Sequence, residues 1–456
     1  MAGAVGAAFR MSFTTTTVHL GFKRVQVACT NQMQYGHLGL EIKMSLARAR
    51  QSRADVYLVR AATSLGSGLF ELESPEVRVL RPTGVVQRLL AGCASLQHIR
   101  DRLHEWRGGV VEQVEREFVH EVSRYVDDNA VPQPVRERLR GARRRVRASL
   151  EHAEQERFHR MTYYERRLLR DPIPVRLHPA AAEEAERQAR AHGLAPGAPL
   201  VCIHAREAGY KKGRELRDRK PQDSRDDGVR NARIESYFGA VDRLVERGYT
   251  VVRLGDASMT PVRRAGVVDL ATSPDRTNLL EIYCLLRSAF IVAGESAYVG
   301  IVCVTNTPLV LVNVTEPISG YPIRAPGLFL PKTVIDRRDG RRLSAADLLG
   351  VEYQRQLRDT RRYRYVDNTA DEILGATCEM LEWLGGGWAE SAGQRRYHQA
   401  TVAAAAQLRR RSAYVRKWGL HRGFLGDGRI ARVALAANGD APIPGTPGRQ
   451  ADGASP

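Results

Sequence analysis

The chain has 456 residues, a formal net charge of +19 and 43% hydrophobic residues. This length accommodates two domains of ordinary size, and the hydrophobic content excludes wholesale disorder. Arginine carries nearly all of the positive charge, which indicates either a compositional bias or an anionic partner such as a phosphate ligand, a nucleic acid or a membrane surface. The six cysteines form no CxxC pair, so neither a disulfide framework nor a zinc site is indicated.

The N-terminal part of the chain predicts a βαβ unit. Residues 1–20 are expected to be a flexible lead-in, followed by strands at 25–30 and 55–59. A helix is predicted between these strands, and the turn before it carries Gly36, His37 and Gly39. Glycines in such a turn let a ligand approach the backbone, and the helix N-terminus favours anions. The alternative is that the two glycines only make a tight turn.

A long, charged segment over about 85–170 predicts an arginine-rich helical insertion. Its apolar residues recur at three- and four-residue steps, and its alternating charges favour solvated helical faces. The proline-punctuated stretch 171–179 then predicts a linker between two domains.

Beyond residue 199 the chain alternates strands and helices. Nearly continuous apolar runs predict strands, and amphipathic segments between them predict helices, which is the pattern of a parallel sheet covered on both faces. The predicted strands lie at 201–206, 250–255, 266–271, 290–296 and 307–313. Residues 385–456 are predicted to be an extension whose end, rich in proline and glycine, is disordered.

Polar residues and a glycine follow these strands, at what we expect to be one edge of the sheet. In such sheets ligands bind at the carboxyl ends of the strands. Arg206 and Arg230 suit a diphosphate through bidentate hydrogen bonds, whereas His204 is expected to shape the strand end. Each residue alone also fits an ordinary loop, so their shared edge is the stronger signal. The candidates are His204, Arg206, Glu207, Arg230, Asn231, Gly255, Asp256, Glu295 and Ser296.

The sequence motifs of several common enzyme classes are absent from this chain. The chain lacks GxxxxGK[ST], a full GxGxxG, GxSxG and a DxD at a strand end, which disfavours P-loop kinases, nicotinamide or flavin enzymes, α/β-hydrolases and metal-dependent transferases. A metal-free transfer from a nucleotide-activated donor remains. It needs cationic stabilisation of the leaving diphosphate and a general base for an acceptor hydroxyl. His37 is predicted to be this base and to face the donor across a cleft. The alternative is that His37 has only a structural role.

The second half of the chain resembles a family of bacterial glycosyltransferases associated with surface-carbohydrate synthesis. The runs VCIHAREAGYKK and VRNARIESYFGAVDRLVERGYTVVRLGD are similar to the family's HxR strand end and RN…GYxVxRxG region, and YGHLGLE at 35–41 is similar to its GHLA-like turn. The similarity is good over residues 199 to about 350. It is brief at the N-terminal turn and almost absent from the arginine-rich middle of the chain. The departures are Glu207 in place of Asp, Asn278 in place of an acid, and Gly-Glu-Ser-Ala at 294–297 in place of Ser-Gly.

The resemblance implies an α/β, GT-B-like architecture in which two Rossmann-like domains face each other. It also implies no essential metal, no cofactor, and a nucleotide sugar as donor substrate. The HxR strand end is similar to that of fucosyltransferase-type enzymes, where the arginine serves the donor diphosphate. We expect an acceptor domain over 21–172 that contains the helical insertion, and a donor-binding domain over 173–384. The loop at 207–228 is expected to be a mobile cover over the donor site.

The sequence thus predicts a metal-independent glycosyltransferase, of hexosyl or fucosyl type, that acts on a surface-polysaccharide or lipid-linked acceptor. The alternative is a catalytically decayed basic protein that docks on nucleic acid or anionic membrane. No basic motif is interleaved with aromatic residues, so no nucleic-acid partner is expected. No apolar run approaches the roughly 18 residues that span a bilayer, and no signal peptide is recognised. We expect a cytoplasmic protein with peripheral contact at the inner face of the membrane.

Overall fold

A computed structural model shows the fold. It describes residues 14–20, 23–29, 35–59, 67–81, 84, 133–135, 137–138, 141, 169–209, 227–317, 322, 324–350, 352–353, 356–411 and 427–436. The predicted helical insertion at about 85–170 lies almost wholly outside the described residues. The predicted cover at 207–228 also lies outside them, apart from its two ends.

A four-stranded sheet is formed by the N-terminal part of the chain. The elements of this part of the chain are β1 (Thr14–Leu20), β2 (Lys23–Cys29), α1 (Tyr35–Ser52), β3 (Asp55–Val59), a 3-10 turn (Ser67–Glu71), β4 (Leu72–Glu73) and β5 (Val79–Leu80), of which β4 lies outside the four-stranded sheet. The strand order is β1-β2-β3-β5, with β1 antiparallel to β2 and the remaining pairs parallel. The βαβ unit β2-α1-β3 agrees with the prediction. The strand β1 does not, because it lies within the expected flexible lead-in.

The predicted linker is packed against the rest of the chain. Within it, β6 (Arg176–Leu177) pairs with β4, and the side chain of Ile173 is fully buried. His178 caps the following helix α2 (Pro179–Ala191), accepting a hydrogen bond from the backbone N–H of Ala181 at 3.3 Å. This segment therefore has its own backbone pairing and buried surface.

A seven-stranded sheet, parallel throughout, occupies the second half of the chain. Its strands run in the order β15-β12-β11-β10-β7-β8-β9. The first elements are β7 (Leu200–His204), 3-10 turns at Asp227–Arg230 and Ile234–Tyr237, α3 (Phe238–Glu246), β8 (Thr250–Arg253), β9 (Val267–Asp269), α4 (Asn278–Arg287), β10 (Ser288–Ala293), α5 (Tyr298–Thr305), β11 (Leu309–Val314) and β12 (Gly327–Pro331). Every residue of β7 and β11 is buried, which is why these strands appear in the sequence as continuous apolar runs.

The C-terminal part of the chain adds one strand to this sheet and contains a separate antiparallel pair of strands. Its elements are β13 (Thr333–Asp336), α6 (Ala345–Leu349), β14 (Tyr363–Val366), α7 (Ala370–Leu384), α8 (Ala392–Arg411), β15 (Arg429–Ile430) and α9 (Arg432–Ala436), of which β13 and β14 form the separate pair. The strand β15 pairs with β12, and Tyr397 of α8 is 1% exposed. Residues of the predicted extension beyond 385 therefore contribute to the core. Thr369 caps α7 in a reciprocal arrangement with Glu372.

The order of the first six strands of the large sheet defines its topology. Counted along the chain from β7, they lie in the order 3-2-1-4-5-6, which is that of the Rossmann fold, and β15 extends one edge. The direction of winding reverses between β7 and β10. The mixed α/β class and the parallel sheet are as predicted, whereas the opposed arrangement of two domains stays a prediction.

The two sheets are connected by a close contact between α1 and α5. A Cβ atom added at Gly36 would lie 2.7 Å from the carbonyl oxygen of Ala297, and one at Gly39 would lie 2.8 Å from that of Gly300. Only glycine permits this approach, because real Cβ atoms do not come so near to a backbone. None of the helices in the described ranges has the length and hydropathy that crossing a membrane demands.

Candidate functional site

The carboxyl ends of β7, β8 and β10 lie side by side. Backbone hydrogen bonds join them: Gly294 N donates to His204 O at 3.1 Å, and Leu254 N donates to Ile203 O at 2.9 Å. The winding reverses between β7 and β10, and in open α/β sheets the ligand crevice lies at such a switch point. The sequence prediction that His204, Gly255 and Glu295 share one edge of the sheet therefore agrees with the structure.

His204 holds two of these strand ends together. Its ring is 4% exposed and its Nδ1 lies 3.0 Å from the carbonyl oxygen of Leu254, which can only accept a hydrogen bond, so Nδ1 carries the proton. The ring also packs at 4.5 Å, centroid to centroid, on that of Tyr298. Burial lowers the pKa of His204 to about 4, so the ring is neutral at pH 7.

Arg206 is half-buried and held in place by its neighbours at the switch point. Its Nη1 donates to Asn231 Oδ1 at 2.6 Å, and its carbonyl oxygen accepts from Ala232 N at 3.0 Å. The backbone of Asn231 is held in turn by the buried ammonium of Lys332, which donates to Asn231 O at 3.0 Å and pairs with Asp367. Lys332 could not be predicted from the sequence, because it follows β12 without a recognisable motif.

The other polar residues of this edge are placed as follows. Arg230 ends the 3-10 turn Asp227–Arg230 and is half-buried next to Asn231. Asp256 follows β8, and its Oδ1 accepts from the backbone N–H of Ser258 at 2.9 Å. Ser296 precedes α5, and its Oγ accepts from Tyr298 N at 3.4 Å. All three lie at the carboxyl edge, and their roles in donor binding stay predictions.

Glu207 makes internal contacts with both of its carboxylate oxygens. Oε1 accepts from Nη2 of the fully buried Arg253 at 2.7 Å, and Oε2 accepts from the backbone N–H of Thr260 at 2.9 Å. Arg253 also pairs with Asp269 at 3.1 Å. This carboxylate compensates a buried guanidinium, so its first role is to hold the ends of β8 and β9.

Glu295 is 7% exposed and is also engaged by the protein itself. Its Oε2 accepts from Thr315 Oγ1 at 2.6 Å and from Arg358 Nη2 at 3.4 Å, and its Oε1 accepts from Glu316 N at 3.2 Å. Both oxygens of this candidate carboxylate are therefore already bonded within the protein. Its contacts tie the end of β10 to the segment after β11.

Gly255 is required by packing. A Cβ atom there would lie 2.2 Å from Met259 Sδ and 3.0 Å from the Cβ of Ala271. Its carbonyl oxygen accepts from Arg276 Nη1 at 2.6 Å. Gly255 is one of the sequence candidates at this edge, and in the structure its missing side chain makes room for Met259.

The N-terminal candidates Gly36, His37 and Gly39 lie inside the first turns of α1, not in a loop before it. The sequence could not show this, because Ala297 and Gly300, the residues that demand glycine at positions 36 and 39, are distant in the chain. The contact of Gly36 with Ala297 brings the start of α1 next to the start of α5 and therefore to the switch point. His37 occupies this first turn, and its role as base stays a prediction.

Metal binding was not expected from the sequence. Across the ranges that the structure describes, no group of three or more His, Cys, Asp or Glu side chains is arranged to hold a metal ion. Arg206 and Arg230 at this edge carry guanidinium groups, a type of group that binds oxyanions through paired N–H donors.

Two solved structures are similar to parts of this chain at low sequence identity. No protein-family model matches the chain, and no curated protein matches it. The chain is similar to the solved structure of Escherichia coli ADP-heptose LPS heptosyltransferase II, with 14% identity, a TM-score of 0.33 and a match covering 72% of this chain and 95% of that one. It is also similar to the dodecameric iron-containing heptosyltransferase TibC in complex with ADP-D-β-D-heptose, with 14% identity and a TM-score of 0.25. That match covers 42% of this chain and 46% of the other, less than half its length. Similarity at this level establishes no activity.

Proposed function

We propose that this protein is a glycosyltransferase that moves a sugar from a nucleotide-sugar donor to a surface-polysaccharide or lipid-linked acceptor. The observation that carries the proposal is the position of Arg206 at the switch point of a Rossmann-ordered sheet, with its guanidinium held by Asn231. A fixed guanidinium at this place suits the diphosphate of a nucleotide sugar. The proposal locates the reaction in the cytoplasm, with peripheral contact at the membrane.

The proposed mechanism separates stabilisation of the leaving group from activation of the acceptor. Negative charge develops on the diphosphate as the glycosidic bond breaks, and Arg206 and Arg230 stabilise it. The N-terminus of α5 lies at the same edge and adds a favourable dipole. His37 accepts the proton of the acceptor hydroxyl. The cationic side chains supply the charge stabilisation, and for that reason we propose a transfer that needs no metal.

A thermal-shift screen against nucleotide sugars tests the donor class, because a ligand that binds only the folded state raises its melting temperature. The panel contains hexose and fucose donors, as the sequence suggests. It also contains ADP-heptose, the sugar nucleotide named for both similar proteins. We expect one donor to stabilise the protein and to release its nucleoside diphosphate in the presence of an acceptor. Absence of stabilisation by every donor would contradict the proposal.

The net charge of +19 favours a second candidate, a basic protein that docks on anionic membrane or nucleic acid. Binding of that kind falls steeply with salt and shows no selectivity for a sugar. Vesicle and oligonucleotide binding measured at two salt concentrations therefore separates the two candidates. Selective binding of one nucleotide sugar that persists at the higher salt concentration favours the transferase.

A further inference from the structure

A buried carboxylate, Glu281, organises a set of polar side chains at the carboxyl edge. It lies in the first turn of α4 and is 2% exposed. Its Oε1 accepts from Arg276 Nη1 at 2.9 Å and from the hydroxyl of Tyr298 at 3.2 Å, and its Oε2 accepts from Asn278 Nδ2 at 3.3 Å. Burial raises the pKa of Glu281, and the adjacent guanidinium opposes that shift. A buried acid with three donors fixes the positions of those donors.

Arg276 is held by one of its nitrogens and keeps the others available. Nη1 donates both to Glu281 and to the carbonyl oxygen of Gly255 at the end of β8. The side chain is 31% exposed, and among the described residues neither Nε nor Nη2 has a hydrogen-bond acceptor. The remaining edge of the guanidinium therefore offers two N–H donors in the geometry that suits an oxyanion.

The position of this guanidinium relates it to the switch point. Gly255 follows β8, which neighbours β7, and Tyr298 opens α5 beside the ring of His204. Arg276 therefore lies at the same edge as Arg206, where it is bonded to the end of β8, the strand next to β7. Two guanidinium groups that approach one edge from different strands can contact different oxygens of a single diphosphate.

We propose that Arg276 is a second binding residue for the phosphates of the donor, and that Glu281 is a positioning residue that orients it. This inference rests on the proposed function, because it assigns a contact within the same donor site. The alternative is an ion pair that only stabilises the fold. The two explanations differ in their consequences: a purely structural pair changes the melting temperature, whereas a donor-site contact also changes nucleotide affinity in protein that remains folded.

The test is calorimetric titration of folded protein with ADP, GDP, UDP and CDP. Arg276→Gln is expected to weaken binding of the preferred nucleotide by about 10- to 100-fold, the usual effect of losing a charged hydrogen bond, and Arg276→Lys by less. Arg287→Gln is the matched control. It removes an arginine from the other end of α4, at the amino edge of the sheet, where it bonds to Tyr283 and to Ala198 O. The control is expected to lower the melting temperature without changing affinity.

Glu281→Gln tests the positioning role through a double-mutant cycle. It is expected to weaken nucleotide binding when Arg276 is present and to have no further effect in the Arg276→Gln background. Equal affinity of wild type and Arg276→Gln, with the control intact, would overturn this inference and leave the proposed function standing. Failure of the wild type to bind any of the four nucleotides would overturn both.

Discussion

Replacing Lys43 by methionine should make this protein more stable at neutral pH, although it removes a charged residue. Lys43 lies on the face of α1 that carries Gly36 and Gly39, and it is 0% exposed. Within the described part of the chain, its Nζ has no hydrogen-bond partner. Burial, followed by the charge of Arg324, lowers the pKa of Lys43 from 10.5 to about 7.

The pKa gives the size and the pH dependence of the effect. A fall from 10.5 to about 7, at about 1.4 kcal/mol for each pH unit between the two values, corresponds to about 5 kcal/mol. Between these pH values the unfolded chain binds more protons than the folded one, so the unfolding free energy rises with pH. The penalty is therefore full below pH 7 and disappears above the ordinary lysine pKa. Cys303 and Asp171 act in the opposite direction and raise the pKa of this amine, whereas Arg50 lowers it further.

Denaturant unfolding of the wild type and Lys43→Met between pH 6 and about 10 measures this penalty. The variant should be more stable by up to about 5 kcal/mol at pH 6, and the difference should shrink towards pH 10. Lys332→Met is the matched control, since Lys332 is 3% exposed but pairs with Asp367 and Asn231 O. That variant should be less stable than the wild type. A Lys43→Met protein that is less stable, or a difference that does not vary with pH, would refute this reasoning.

Three further predictions concern packing, capping and the site. Gly39→Ala should lower the unfolding free energy, measured by thermal melts, by about 1–3 kcal/mol, because its Cβ would meet Gly300 O at 2.8 Å. The control Gly239→Ala should not lower it, because the nearest atom to that Cβ is 4.0 Å away. Thr369→Ala should lower the unfolding free energy by about 1 kcal/mol, because it removes the cap of α7. An unchanged melting temperature would contradict this. Asn231→Ala should weaken nucleoside diphosphate binding several-fold in calorimetry, since Arg206 loses its anchor; wild-type affinity would argue against that role.

The fold of the second half could be predicted because its strands are buried on both faces. Runs such as LVCIH and LVLVN allow few alternatives to a parallel strand, and the order of elements then defines the carboxyl edge. The strand β1 was not predicted, because its threonines follow a segment of small residues that favours a flexible lead-in. Asp367, Asn368 and Thr369 are all residue types that cap helices, and only the structure shows that Thr369 forms the reciprocal pair with Glu372.

The candidate site was only partly accessible from the sequence, because tertiary contacts decide what each side chain does. Glu207 and Glu295 look like ligand-binding acids until the positions of their partners, Arg253 and Arg358, are known. Arg276 and Lys332 were missed for the opposite reason, since each lies in a segment without a motif. The sequence therefore predicted which edge of the sheet carries the polar residues. The hydrogen-bond partners of its acidic and basic side chains are visible only in the folded structure.

The most direct measurement of the central claim is the affinity of folded wild type and Arg206→Gln for the nucleotide sugar that stabilises the protein most. Arg233→Gln is a suitable control, because it changes the charge equally at a side chain that is 82% exposed. We predict that Arg206→Gln weakens binding by about 10-fold or more while Arg233→Gln binds as the wild type does. Undiminished binding by Arg206→Gln would contradict a donor diphosphate at the switch point.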